Sequence, residues 1–148
     1  VYFSPLDDHA AAEMDRIFEE LTEGREIAPQ TLTTQGRELK IEMAARGVAR
    51  LSFEELCARA LGASDYLTLT EHFHTLLLEN VPQLSPARRN ESKRFVTLID
   101  ILYEAKTNLV ISAEVPAEDL YPKGDGSFEF ARTVSRLMEM RSEDYLKG

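Results

Sequence analysis

Glu79 and Asn80 close the run TLLLEN, in which three leucines precede an acidic residue. An apolar strand ending in Asp-Glu is where nucleotide hydrolases work: the Asp holds the magnesium shell and the Glu polarises the attacking water. Here those places carry Glu79 and Asn80, and an amide cannot serve as a base. Such chemistry also needs a loop of the form G-x-x-x-x-G-K followed by Ser or Thr, whose amides and lysine hold the phosphates. No Gly-Lys pair occurs in the chain. The nearest glycine-rich stretch, Lys123-Gly124-Asp125-Gly126-Ser127, has the order reversed with an Asp inside it, which reads as a surface turn. The chain alone is predicted not to hydrolyse ATP.

Arg132 and Arg136 stand one helical turn apart in FARTVSRLMEM, so both heads emerge on one side of a helix. A guanidinium pair can clamp a phosphate or carboxylate bidentately, and an arginine supplied to a transferring phosphoryl group can decide its rate. Ion pairing with Glu129, Glu139 or Glu143 is the structural alternative. Arg88, Arg89, Lys93 and Arg94 form a second basic cluster beside Glu91 and Asp100. It reads either as a solvated helical face with internal ion pairs or as arginines aimed at a neighbouring phosphate or an acidic partner. His72 and His74 lack supporting ligands at local spacing and read as structural. Cys57, the single cysteine, falls among apolar neighbours on a predicted helix, the setting of an inert buried thiol. Nothing of the form G-x-S-x-G marks a nucleophile turn.

The elements that carry these residues follow from periodicity and punctuation. Ser4-Pro5 predicts a helix start, with Met14, Ile17, Phe18 and Leu21 on one face and Gly24 as the stop. After a polar connection through Pro29, RELKIEMA alternates apolar and charged residues, the pattern of a half-buried strand. Ala45-Arg46-Gly47 turns it into a second strand, VARLSF, predicting a hairpin. Ser52 with Glu55 is a capping box, so a helix FEELCARAL is expected to run to Gly62, with another from Asp65 to about Phe73. TLLLE and NLVISA look like strands buried on both faces. Between them, Phe95, Leu98, Ile99 and Leu102 form one helical stripe, predicting a right-handed parallel crossover. A closing helix presents Phe130, Val134, Leu137 and Met138, and Ser142 caps a last turn through Tyr145. The fold class is α/β: a mixed sheet with a parallel strand-helix-strand unit, a preceding β-hairpin and flanking helices.

The formal charge of −9 over 148 residues and a sequence pI near 4.9 repel polyanions, which argues against nucleic acid and favours a protein partner. No run is long and apolar enough to cross a bilayer, and the start does not resemble a secretory signal. One cysteine excludes an internal disulfide. The start at Val1 hints at a fragment.

Read together, VARLSFEELCARALGASDYLTLTEHFHTLLLENVPQL, KRFVTLIDILYEAKTNLVISAEVP and FEFARTVSRLMEMRSEDYL resemble the C-terminal part of the ZapE family, cell-division AAA+ ATPases related to the mitochondrial ATPase-family-gene-one proteins. The resemblance covers nearly all of the chain and is weakest before Gly36. It implies an upstream AAA+ module in the same chain that uses ATP and Mg, with residues 1–148 as a C-terminal domain: 1–35 an N-terminal helix and connection, 36–121 the α/β core, 122–148 a helical segment. It implies action on FtsZ polymers in bacterial division, or protein quality control at the mitochondrial inner membrane. The implied location is accordingly cytoplasmic, at the division site or peripherally at the inner membrane, with mitochondria as the alternative. A homo-oligomer is also implied. Arg132 and Arg136 fit the family motif and become candidates for nucleotide sensing or subunit contact. Arg94 joins them, although Ser92-Lys93 precedes it where the family tends to have Ala-Arg, and lysine lacks the planar fork. Glu79 and Asn80 become degenerate magnesium-strand positions, and the segment a degenerate second P-loop-like copy, provided that the strand order agrees. The alternative function is a protein-binding adaptor with no coupling to ATP.

Overall fold

The computed structural model describes residues 1–122 and 126–140. In chain order it contains β1 (Tyr2–Phe3), α1 (Asp8–Thr22), β2 (Ala28–Thr34), β3 (Arg37–Ala45), β4 (Val48–Ser52), a π-helical turn (Glu54–Ala58), α2 (Ala63–His72), β5 (Thr75–Val81), α3 (Arg89–Glu104), β6 (Asn108–Ala113) and α4 (Ser127–Met140). The six strands form one mixed sheet in the order β1-β6-β5-β4-β3-β2. β1, β6, β5 and β4 run parallel, and β4, β3 and β2 are antiparallel neighbours.

The parallel part decides where the helices go. From β1 the chain crosses the sheet to β4 through α1 and the β2–β3 hairpin, then steps back through β5 to β6. Right-handed crossovers that travel in opposite directions must use opposite faces. Accordingly, Met14 and Phe18 of α1 pack on Val48, Leu77 and Val110 on one face. Phe95, Leu98 and Ile99 of α3 share the other core with Leu76, Leu78 and Ile111. Because side chains alternate along a strand, the continuous apolar runs of β5 and β6 serve both layers.

Several expectations hold in detail. The hairpin β3–β4 turns at Arg46 and Gly47, both at positive φ, as a tight two-residue turn requires. The capping box is formed: Ser52 Oγ accepts from the Glu55 amide at 3.1 Å, and Glu55 Oε1 accepts from the Ser52 amide at 3.0 Å. β5, α3 and β6 make the expected parallel unit.

Others are corrected. The first helix starts at Asp8, with Asp7 rather than Ser4 as cap, because Tyr2 and Phe3 pair with Ile111 and Ser112 and keep the chain extended. On its apolar face Leu21 is exposed, and Thr22 is buried in its place, bonding back to the Phe18 carbonyl. The polar connection through Pro29 is the edge strand β2, held by β3 through main-chain pairing that needs no apolar side chain. Met43 is exposed and Ala44 buried, so the alternation of β3 slips near its turn. The helix expected over FEELCARAL is only a five-residue π turn. Two carbonyls that would continue it are taken elsewhere: Tyr66 Oη donates to the Leu56 carbonyl at 2.6 Å, and Arg94 Nη1 to that of Cys57 at 3.0 Å. On α4, Phe130 and Leu137 are buried as expected, whereas Met138 is exposed and Thr133 and Met140 face inward. The turn through Lys123-Gly124-Asp125 and the last turn from Ser142 to Tyr145 lie outside the described residues.

Candidate functional site

Ligands of parallel α/β sheets collect outside the carboxyl ends of the strands, above all where the strand order reverses. Here the reversal falls between β1 and β6, the first and last strands of the chain. A recess of about 320 Å³ opens at that point, lined by Ser4, Asp7, His9, Pro116 and Glu118 among others. The turn entering α1 is Ser4-Pro5-Leu6-Asp7, and the Asp7 carboxylate itself accepts from the Ala10 amide at 2.9 Å. A helix start closed by its own carboxylate repels phosphate rather than cradling it. The residues present do not fit ATP.

Two strands along the same edge lie Glu79 and Asn80, which the sequence reading set against a magnesium strand. Glu79, at the end of β5, accepts from Arg50 Nε at 2.7 Å, and Arg50 Nη2 also reaches Asp15 of α1 at 2.7 Å. Arg50 stacks over the Phe18 ring, 5.6 Å from its centre. Burial works against the charge of Arg50, but the hydrogen bonds to Glu79 and Asp15 outweigh it, so its pKa lies above the ordinary arginine value. A carboxylate held this way is a structural anion tying α1 to β4 and β5. Asn80 takes a positive φ of 61°, tolerable for asparagine, where the β5–β6 register shifts, and its amide donates to Ser112 Oγ at 3.0 Å. Asn80 also lines a recess of about 560 Å³ with Ser52, Glu54, Arg88 and Glu91.

The structure brings Arg132 and Arg136 together on a residue that the sequence reading did not name as their partner. Arg132 Nη2 reaches Asp100 Oδ2 at 3.0 Å, and Arg136 Nη1 bonds Asp100 Oδ1. Arg136 also lies 3.7 Å from Glu104 and over the Tyr103 ring at 4.8 Å, and Tyr103 donates to Glu139 at 2.6 Å. The arginines therefore clamp α4 to α3. Arg94, separate from them, is directed at the carbonyl of Cys57.

Of the basic cluster, Arg88 pairs with Glu91 at 3.5 Å. Burial pushes the Cys57 thiol up to about 12, as expected of an inert sulfhydryl. His72 Nδ1 lies 2.9 Å from the Thr68 carbonyl, and His74 bridges Thr75 Oγ1 and the Arg46 carbonyl, each a local tie.

Sequence reasoning missed Arg50 and the buried Asp65, which receives Arg37 at 2.7 and 2.9 Å and the Gly62 amide at 2.8 Å. A signal for Arg50 was present: it occupies the same alternation phase as Val48, and a charge on the apolar phase of a strand demands a counter-ion.

Comparison with known proteins places the chain. The family model described as AFG1-like ATPase matches residues 1–148. The chain belongs to the AFG1-like ATPase family. Among its relatives, Cell division protein ZapE of Escherichia coli (strain K12) is 38% identical over 147 residues, covering 99% of this chain and 39% of that protein. Lactation elevated protein 1 homolog B of Danio rerio is 31% identical over 179 residues, covering 98% of this chain and 36% of that protein. This AFG1-like chain thus spans about two fifths of the length of the curated relatives it matches. No solved structure matches it significantly.

Proposed function

We propose that this chain is the C-terminal regulatory and interaction domain of a ZapE-like AAA+ ATPase. In the longer protein an upstream module would bind ATP and Mg and hydrolyse the nucleotide, and this domain would pass that cycle to a protein client. In bacteria the client would be FtsZ polymers at the division site; the mitochondrial alternative is protein quality control.

One observation carries the reading. The sheet keeps the frame of a nucleotide-binding core, with the first strand beside the last, yet an ion-paired Glu79, an Asn80 and an acidic turn stand where hydrolysis needs a free dyad and a phosphate loop. A sheet of this kind without that chemistry fits a domain that packs and couples. ATP is accordingly a ligand of the upstream module, and no step here runs through it.

The test is steady-state ATP hydrolysis by the upstream module with and without this chain added in trans. Concentration-dependent stimulation or inhibition supports coupling. Unchanged turnover by an active module, with the chain folded, moves the reading to an adaptor without coupling. A pull-down against FtsZ then asks whether the client assignment stands.

A further inference from the structure

Arg88 pairs with Glu91 and Arg94 donates to the Cys57 carbonyl, which leaves Arg89 and Lys93 as the members of the basic cluster whose side chains make neither an ion pair nor a hydrogen bond among the described residues. They stand one turn apart on an exposed stripe of α3 and, with Pro86, Val96, Tyr121 and Phe130, line a groove of about 610 Å³ between α3 and the start of α4. The buried stripe of the same helix, Phe95, Leu98, Ile99 and Leu102, faces the core, so this second stripe is a face of its own. Tyr121 and Phe130, stacked with ring centroids 5.1 Å apart, and Val96 give the groove its apolar lining, the composition from which binding hot spots are made.

We propose that this groove docks a peptide segment of a partner protein in which carboxylates stand next to an aromatic or leucine anchor. Charge complementarity selects the occupant: in a chain of net charge −9, unpaired cations are where the local field reverses and an acidic segment is drawn in. The Cβ atoms of Arg89 and Lys93 lie about 5–6 Å apart, a separation that carboxylates at i and i+4 of a helix match. Glu129 on the α4 rim repels those carboxylates. They therefore lie along α3, and the anchor lies against Val96, Tyr121 and Phe130. The inference rests on the interaction-domain reading and adds the chemistry of the partner.

The test uses the 148-residue chain, fluorescently labelled, on an immobilised library of short peptides that vary independently in acidic and apolar content. Retained peptides are expected to combine both features, and raising the salt is expected to weaken them. In anisotropy titrations of one retained peptide, Arg89→Glu with Lys93→Glu weakens binding at least about tenfold. Val96→Asp also weakens it, and Arg25→Glu, a remote exposed cation, leaves it unchanged. Urea midpoints of the variants confirm that each is folded. Retention of basic or neutral peptides overturns the proposal, as does binding that survives the double charge reversal; in that second case the interaction-domain reading survives and only this groove fails. Displacement by inorganic phosphate with no dependence on Val96 identifies a bare anion site and also overturns it. Absence of any retained peptide refutes the groove, while the ATP-turnover experiment in trans still decides the coupling.

Discussion

At the scale of the residue, the arginines that looked most like a phosphate clamp already hold a carboxylate. Arg136 is the deeper member, its side chain 21% exposed against 65% for Arg132. Arg136→Ala strips the half-buried Asp100 of its nearest charge and loses the stack on Tyr103, so it is expected to cost about 1–2 kcal/mol in urea denaturation. Arg132→Ala is expected to cost less than about 0.5 kcal/mol, as exposed pairs do. Equal effects, or none for Arg136, would contradict the clamp. The helical spacing showed that the two heads share a side; it was silent about Asp100, which lies 32 residues before Arg132, because spacing reports only neighbours on the same helix. The Cys57 thiol gives a second residue-level outcome. Its folded pKa, about 12, stands above the ordinary thiol value of 9.0, so the neutral thiol stabilises the fold fully below about pH 9. That contribution is lost as pH rises through the window between the two values, by up to about 1.4 kcal/mol per unit. Burial raises Tyr66 in the same direction, with Cys57 beside it adding to the effect. Unfolding free energies followed from about pH 8 to pH 11 should fall, and fall less steeply in Cys57→Ala.

At the scale of the element, the informative contacts join pieces that local signals treat as separate. Asp65 is 1% exposed and receives the Gly62 amide at the start of α2 together with both arms of the Arg37 contact from β3. Asp65→Ala leaves the amide orphaned and removes the tie between hairpin and helix, a loss expected to reach about 3 kcal/mol by thermal or urea unfolding. Arg37→Ala leaves the buried Asp65 carboxylate without its counter-ion, so a comparable loss is expected although the Arg37 side chain is itself half exposed. The α2 helix was visible in the sequence with Asp65 at its start, but Arg37 was not a foreseeable partner across 28 residues. β2 was invisible for a related reason: main-chain pairing with β3 carries most of this edge strand, and Leu32 is its one apolar side chain in the core. The π turn at Glu54–Ala58 shows the reverse case, a good local helix signal interrupted by tertiary donors from Tyr66 and Arg94.

At the scale of the whole molecule, restoring two letters is not expected to create ATP hydrolysis. Glu79→Asp with Asn80→Glu rebuilds the hydrolytic dyad on paper, yet Arg50 still faces the carboxylate and Asp7 still closes the start of α1. The double variant is expected to release no phosphate from ATP in a colorimetric assay. Mg-ATP is expected to leave the melting temperature of the chain unchanged, because only a ligand of the folded state raises it. Either a measurable rate or a thermal shift would overturn the reading of this edge. The sequence by itself determined the α/β class, the parallel crossover of β5, α3 and β6, the hairpin β3–β4, the capping box and the family, since each rests on contiguous residues or on their order along the chain. The tertiary structure alone decided that β1 joins the sheet beside β6, that Glu79 is bound to Arg50, and that Arg132 and Arg136 meet on Asp100 while Arg89 and Lys93 remain open. The physical reason is one of range: hydrogen-bond periodicity and turn chemistry act within a few residues and are written locally, whereas an ion pair depends on which surfaces the packed sheet brings within about 4 Å.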